Sequence, residues 1–312
     1  MKGARMHILL LSLLLLLLCG ADLLTGSGFS IPSALILWKL RLPRMLTAVV
    51  AGASMALAGA QMQAIFRNPL ADPHIMGVSG GAGLGAALAA LAIPAAWSGG
   101  LSKAAAAFVG ALLAGGLVVG VSARVRSTGT LLLVGVMLGF VFSALSSVLQ
   151  YSAGEESLKL FYSWMAGSFT GVRLDGLYVM AAALLLGLAL AMWQARELDL
   201  ILFGDDYARL SGAPVRRLRL LTMLGCSLMT GAVTACCGPI GFVGIIAPHL
   251  VRGYLGTSAH RRVLPASLGF GATLALCGDI LANVWPLPLP VGSTLALIGI
   301  PIILILLWRT RL

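Results

Sequence analysis

Four short stretches of this 312-residue chain combine residue types that packing alone would not select. In Arg41-Leu42-Pro43-Arg44, Pro43 stiffens a segment that holds two guanidiniums about one helical turn apart. A guanidinium carries a fork of donors matched to a carboxylate, so the pair suits an acidic docking surface. The other use of such a pair is to snorkel toward lipid headgroups. In Gln61 to Pro73, the steps Asn68-Pro69 and Asp72-Pro73 forbid a continuous helix. Irregular backbone beside a membrane is tolerated where protein buries it or it lines a water-filled cavity. That segment is therefore a gate or an ordinary capped turn. Leu198 to Arg219 carries Asp199, Asp205, Asp206, Arg209, Arg216, Arg217 and Arg219, and Gly204 and Gly212-Ala213-Pro214 divide it into two short helical pieces. It is a docking surface for another protein or a solvated loop. Gly238 to Arg252, with Gly238, Gly241, Gly244, Pro239 and Pro248, predicts a bent, closely packed short helix, with His249 as a hydrogen-bonded structural residue.

Enzymatic chemistry finds little support. No paired carboxylate set, H-E-x-x-H, G-x-S-x-G or Walker A sequence occurs, so any use of ATP requires another chain. Cys19, Cys226, Cys236, Cys237 and Cys277 sit in apolar runs without metal or redox spacing, and read as small buried hydrophobes. Asp279 is a carboxylate deep in an apolar run, where a charge is expensive. A proton relay would need a titratable partner. None is visible in the sequence, so Asp279 is expected to serve structural hydrogen bonding.

The elements that must position these residues follow from composition. Apolar residues make up 59% of the chain and charged residues 10%, against roughly 25% charged in soluble domains. Mean hydropathy is +1.01. A soluble domain, a disordered chain and a collagen-like repeat are excluded. Apolar runs fall at about 6–24, 46–66, 75–96, 104–123, 130–152, 176–194, 218–237, 240–256, 263–284 and 292–309. Spanning takes about 20 residues per helix, so about ten helices leave only short loops. The fold class expected is an all-α polytopic membrane protein, with residues 1–312 as one transmembrane domain. Lys2 and Arg5 ahead of Ile8–Cys19 look like a signal peptide, but Leu18 before Cys19 lacks the small-residue cleavage pattern, and the run is expected to be the first membrane helix. Small-residue runs such as Gly52-Ala53-Ser54 and Gly80-Gly81-Ala82-Gly83 suit close helix approach.

The net charge of +11 fits a membrane protein with basic inner loops, and no aromatic-basic patch suggests nucleic acid. With the N-terminus inside, the inner loops take Lys2, Arg5, Arg67, Arg124, Arg126, Arg196, Arg209, Arg216, Arg217, Arg219, Arg252, Arg261, Arg262, Arg309 and Arg311. The outer loops take Lys39, Arg41, Arg44, Lys103, Lys159 and Arg173. The bias places both termini in the cytoplasm and leaves Arg41 and Arg44 outside, where positive charge calls for a reason.

Read in order, Arg41-Leu42-Pro43-Arg44, Arg67-Asn68-Pro69-Leu70-Ala71-Asp72-Pro73 with Gly77 and Gly80-Gly81-Ala82, the 238–252 segment, and Pro290-Val291-Gly292 with Gly299-Ile300-Pro301 strongly resemble the FecCD-type permeases of ABC importers. These take up ferric siderophores, haem and cobalamin. The resemblance runs from about residue 35 to the C-terminus. It implies a type II ABC importer permease fold of about ten helices in the cytoplasmic membrane, paired as a homodimer or with a close paralogue. It further implies two cytoplasmic ATPase subunits below and an extracytoplasmic substrate-binding protein outside. Arg41 and Arg44 match arginines that pair with glutamates of the binding protein. Asn68 and Leu70 match an inner gate, and Thr128 and Gly129 a second gate segment. Gly204, Asp205, Asp206 and Arg209, within residues 198–219, match the coupling helices that touch the ATPase. No cofactor is expected on this chain; ATP and Mg belong to the ATPase. A third outer arginine of some relatives is here Asn283, and a glutamate two residues before the Pro-x-Gly step is here Pro288. Ferric siderophore or haem is the leading cargo, with cobalamin a further candidate. The rival reading is an ion- or proton-coupled secondary transporter. It needs polar groups at mid-membrane, and only Asp279 offers one.

Overall fold

A computed structural model describes residues 2–26, 28–29, 31–92, 100–122, 125 and 127–309. Arg124, Arg126 and Arg311, counted above in the charge bias, lie outside the described residues. The architecture is all-helical, apart from a small antiparallel pairing of Thr25–Gly26 with Gly28–Phe29 after the first helix. In chain order the helices are α1 (Lys2–Leu24), α2 (Ala34–Phe66), α3 (Val78–Ala87), α4 (Gly100–Ser122), α5 (Thr128–Tyr151), α6 (Glu155–Met165), α7 (Leu174–Trp193), α8 (Ala195–Ile201), α9 (Asp205–Leu210), α10 (Val215–Cys237), α11 (Val243–Leu255), α12 (His260–Asn283) and α13 (Val291–Arg309).

Each of the ten apolar runs falls on its own helix. Among the described residues six helices are long and apolar enough to cross a membrane: α2, α4, α5, α7, α10 and α12. Leu10–Leu24, Val78–Leu91 and Val291–Ile305 are shorter apolar stretches. The remaining run is α11, whose 13 residues span roughly 20 Å, too short for the ~30 Å of hydrocarbon. It therefore needs irregular backbone at one end.

Helix α2 is the axis of the bundle. From Thr47 to Phe66 nearly every residue is buried, against α10, α11 and α12. Such burial between apolar helices works because small residues let backbones touch. A side chain at Gly52 would collide with the Gly271 carbonyl of α12, and one at Gly59 with the Gly244 carbonyl of α11.

The contact with α11 has a further cause. Pro248 has no N–H, so the carbonyl of Gly244, four residues earlier, loses its helical partner. Gln63 of α2 replaces it, donating from Nε2 to Gly244 O at 3.3 Å and to Ile245 O at 3.1 Å. The Gln63 Oε1 accepts from Arg252 Nη1 at 2.5 Å. One amide thus clasps α11 on both sides of Pro248. Where α2 ends, Arg67 takes a left-handed conformation (φ 48°), and the chain turns back through Pro73–Met76. Asp72 accepts from His74 N–H at 2.8 Å, and the His74 Nε2 meets Ile240 O at 2.6 Å. The two proline-broken segments therefore meet each other inside protein, where irregular backbone is tolerated.

Overpacking a close helix crossing costs about 1–3 kcal/mol. Gly59→Ala should lower the unfolding temperature of the purified protein in detergent. Gly120→Ala, with nothing within 4 Å of the added carbon, should leave it unchanged.

Candidate functional site

Two polar clusters sit at opposite ends of the bundle. At the end predicted to face outside, α1 finishes beside the start of α2 and the end of α12. The last carbonyls of α1 have no helical partners. Arg41 Nη1 donates to Leu23 O at 2.9 Å, and Arg44 Nη2 to Asp22 O and Thr25 O, both at 3.0 Å. Arg44 Nε also lies 2.9 Å from Asp279 Oδ2, and its Nη2 lies 3.6 Å from Asp22 Oδ1. Asp22 and Asp279 are wholly buried, and Arg41 and Arg44 are only 8% and 7% exposed.

This arrangement corrects one expectation. Asp279 does have titratable partners, Arg44 on α2 and Asp22 on α1; their separation in sequence hid them. Arg41 and Arg44 are both buried: each caps the end of α1, and Arg44 also pairs with Asp279 and Asp22. Asn283 adds donors to Asp279, from Nδ2 to Oδ1 at 2.9 Å and to its carbonyl at 2.8 Å. Arg44 and Pro43 form part of the wall of an outer recess of about 560 Å³, together with Lys39, Trp38, Arg173 and Asp175. Lys39 and Arg173 are the exposed cations there, the latter 3.4 Å from Asp175.

At the other end, a recess of about 660 Å³ gathers Arg67, Thr128, Gly129, Gly204, Asp205, Asp206 and Arg209. The second predicted gate segment and the predicted coupling residues therefore share one wall. Asn68 and Leu70 do not line it. Asn68 Oδ1 accepts from Leu70 N–H at 2.9 Å, closing a local turn, and Leu70 is 40% exposed.

The two aspartates that begin α9 diverge. Asp206 is exposed, 4.0 Å from Arg209. Asp205 turns inward and accepts from Arg219 Nη2 at 2.5 Å. Phe203, Tyr207 and Leu210 stand 75%, 51% and 90% exposed around the same helix. The sequence reading placed Tyr207 within the coupling stretch but passed over Phe203, Leu210 and the role of Arg219. The available signal was apolar bulk on a short helix whose other residues are charged. Asp199 on α8 caps α12: its Oδ1 accepts from His260 N–H at 2.8 Å and meets Nδ1 at 2.7 Å. Burial pushes the Asp199 carboxyl up, but the His260 hydrogen bonds outweigh it and hold the group below the usual aspartate range.

Comparison with known proteins gives a consistent picture. Residues 8–309 match the model of the FecCD transport family. The chain is 38% identical to the vitamin B12 import system permease protein BtuC of Klebsiella pneumoniae subsp. pneumoniae, over 97% of this chain and 92% of that protein. It is 36% identical to the same-named protein of Escherichia coli O127:H6, over 97% of this chain and 94% of that one. Among solved structures, an inward-facing chain assigned as a metal-chelate-type ABC transporter superposes with a TM-score of 0.89. It is 31% identical and covers 98% of this chain and 99% of the other.

Removing one member of a buried ion cluster leaves uncompensated charge and costs about 3–5 kcal/mol. Arg44→Met should therefore sharply lower the yield of folded protein and its unfolding temperature. Asp22→Asn, which keeps the Asp279 pair, should cost much less. Combining Arg44→Met with Asp22→Asn and Asp279→Leu should recover most of the loss. An Arg44→Met variant as stable as wild type would mean the cluster is not what joins α1, α2 and α12.

Proposed function

The chain belongs to the FecCD transport family, and from that premise we propose that it is the permease subunit of an ATP-driven importer of metal chelates. The observation that carries the reading is its full-length similarity to permeases named for vitamin B12 import. The sequence reading put ferric siderophore or haem first. The names of these relatives bring cobalamin forward as the first chelate to test. A secondary transporter has nothing to favour it: the buried carboxylates of Asp279 and Asp22 are both engaged by Arg44, and Asn283 adds donors to Asp279.

In this reading the permease works as a homodimer in the cytoplasmic membrane with both termini inside, and ATP and Mg are held by the partner ATPase. The ATPase meets the face of α9 that carries Phe203, Asp206, Tyr207, Arg209 and Leu210. Exposed apolar side chains ringed by charge suit a protein interface. The binding protein docks over the opposite end. It meets Lys39 and Arg173 first, above Arg41 and Arg44. Asn68 and Leu70, with Thr128 and Gly129, gate the inner end of the pathway. The face of α5 that rises from Thr128 is exposed at Leu133, Met137, Phe140 and Leu145. A slippery apolar wall of that kind would let a bulky chelate slide with few specific contacts.

The test is ATP-dependent uptake of labelled cyanocobalamin by proteoliposomes that hold the permease, its ATPase and its binding protein. Competition by haem and by a ferric siderophore ranks the cargo. Replacing buried interface anchors costs about 2 kcal/mol or more each. Phe203→Ser with Leu210→Ser should thus abolish co-purification of the ATPase, while Gly120→Ala does not. Full retention of the ATPase would move the interface off α9. Separately, Asn68→Ala with Leu70→Ala should make reconstituted dimers leak a small dye; a sealed variant would leave the constriction to Thr128 and Gly129.

A further inference from the structure

The polar cluster at the inner end contains a linkage that reaches from the ATPase-facing helix to both predicted gate segments. Arg219, at the start of α10, is 4% exposed. Its Nη2 donates to Asp205 Oδ2 on α9 at 2.5 Å and to Thr128 Oγ1 at the start of α5 at 2.7 Å. The other carboxylate oxygen of Asp205 lies 3.9 Å from Nη2 of Arg67, the residue that ends α2 and precedes Asn68. One carboxylate therefore stands between two guanidiniums that belong to different membrane helices. Without it, two like charges would face each other across α9.

The mechanical setting is specific. Helix α9 is six residues long, and glycines in left-handed conformations flank it, Gly204 (φ 111°) and Gly212 (φ 84°). Ala208 is its buried residue. Its other side chains are exposed to the recess or to solvent, and among the described contacts the Asp205 carboxylate is the α9 side chain that bonds to other elements. A charge-assisted hydrogen bond is short and directional, and it transmits displacement where an apolar contact would slip.

We propose that Asp205 and Arg219 are the positioning residues that carry movement of α9 to the inner gate, through Thr128 on one side and Arg67 on the other. The proposal rests on the reading of α9 as the ATPase contact. It divides α9 into two functions: Asp206 and the apolar side chains bind the partner, and Asp205 passes the motion on.

The experiment measures two quantities in proteoliposomes that hold the complete transporter: ATPase bound per permease, and ATP hydrolysed per cyanocobalamin imported. Coupling between sites typically corresponds to effects of about 5- to 150-fold. For Asp205→Asn and Arg219→Gln, ATPase binding should be unchanged while the ATP consumed per molecule imported rises about tenfold. Asp205→Glu, which keeps the charge, should stay near wild type. Thr128→Val removes one hydrogen bond without burying charge and should fold normally. It should raise the same ratio severalfold, and Thr128→Ser should not. If Asp205→Asn and Thr128→Val keep the wild-type ratio, the linkage is wrong. If Asp205→Asn instead loses the ATPase as the Phe203→Ser, Leu210→Ser variant does, Asp205 is a docking residue and the linkage is again wrong, though the permease reading stands. A wild-type chain that binds no ATPase overturns both.

Discussion

The guanidinium of Arg44, held between the buried carboxylates of Asp22 and Asp279, is the interaction on which the arrangement of the bundle depends. A charge without a partner is too costly at this depth, so none of the three groups can be buried alone. The helices that carry them must meet: α1 from the N-terminus, α2 after it, and α12 more than two hundred residues later. Apolar surfaces in a membrane have no hydrophobic drive to choose among one another. A buried ion cluster can choose, because a register shift of one residue on any of the three helices would strand a charge. Its value is therefore specificity of assembly more than net stability, the use of buried ionic groups that is best attested elsewhere.

Once that end is fixed, α2 imposes order on the rest through contacts between backbones. The Gly52–Gly271 and Gly59–Gly244 approaches bring α12 and α11 against it at van der Waals distance. Pro248 then opens a carbonyl that Gln63 fills, and Arg252 completes the clasp. These contacts are mutually dependent. The proline bend is tolerated because α2 supplies the missing donor, and α2 can supply it because glycine permits the approach. The result is a stiff column along α2, α11 and α12. By contrast, α9 at the inner rim is joined through one carboxylate, one alanine and two glycine-flanked turns.

The sequence disclosed the helical type of the elements and where each apolar run lies, because composition and run length determine them directly. It also placed the breaks at Pro69 and Pro73 and the unpaired carbonyl before Pro248, since proline acts on its own local backbone. The two short helices between Leu198 and Arg219 were legible from Gly204 and Gly212 for the same reason. What could not be read was pairing across distance. Arg44 with Asp279, Arg219 with Thr128, and Asp199 with His260 are each separated by at least 61 residues. Charge type in one segment does not say whether a side chain faces out to a partner or inward to a neighbour. The topology rule placed Arg41 and Arg44 on the outer side, and that rule concerns loops, not side-chain direction. Asp205 and Asp206 show the same limit at single-residue resolution. They are adjacent and chemically identical, yet one is turned into the bundle and the other toward water.

The two clusters also differ in charge, and the difference bears on what each can do. At the outer end Arg41 and Arg44 balance Asp22 and Asp279, all four buried. Such a set is closed. Any rearrangement would have to break several compensated contacts in a low dielectric, so the outer end acts as a fixed anchor unless a partner brings carboxylates of its own. At the inner end Asp205 serves both Arg67 and Arg219, and Arg67 is nearly half exposed. That set is positive in excess and borders water, which stabilises each separated charge at small cost. Its contacts can be made and broken within the energy of one docking event. The two ends of α2 thus carry charge networks of opposite character, one closed and buried, the other open to water.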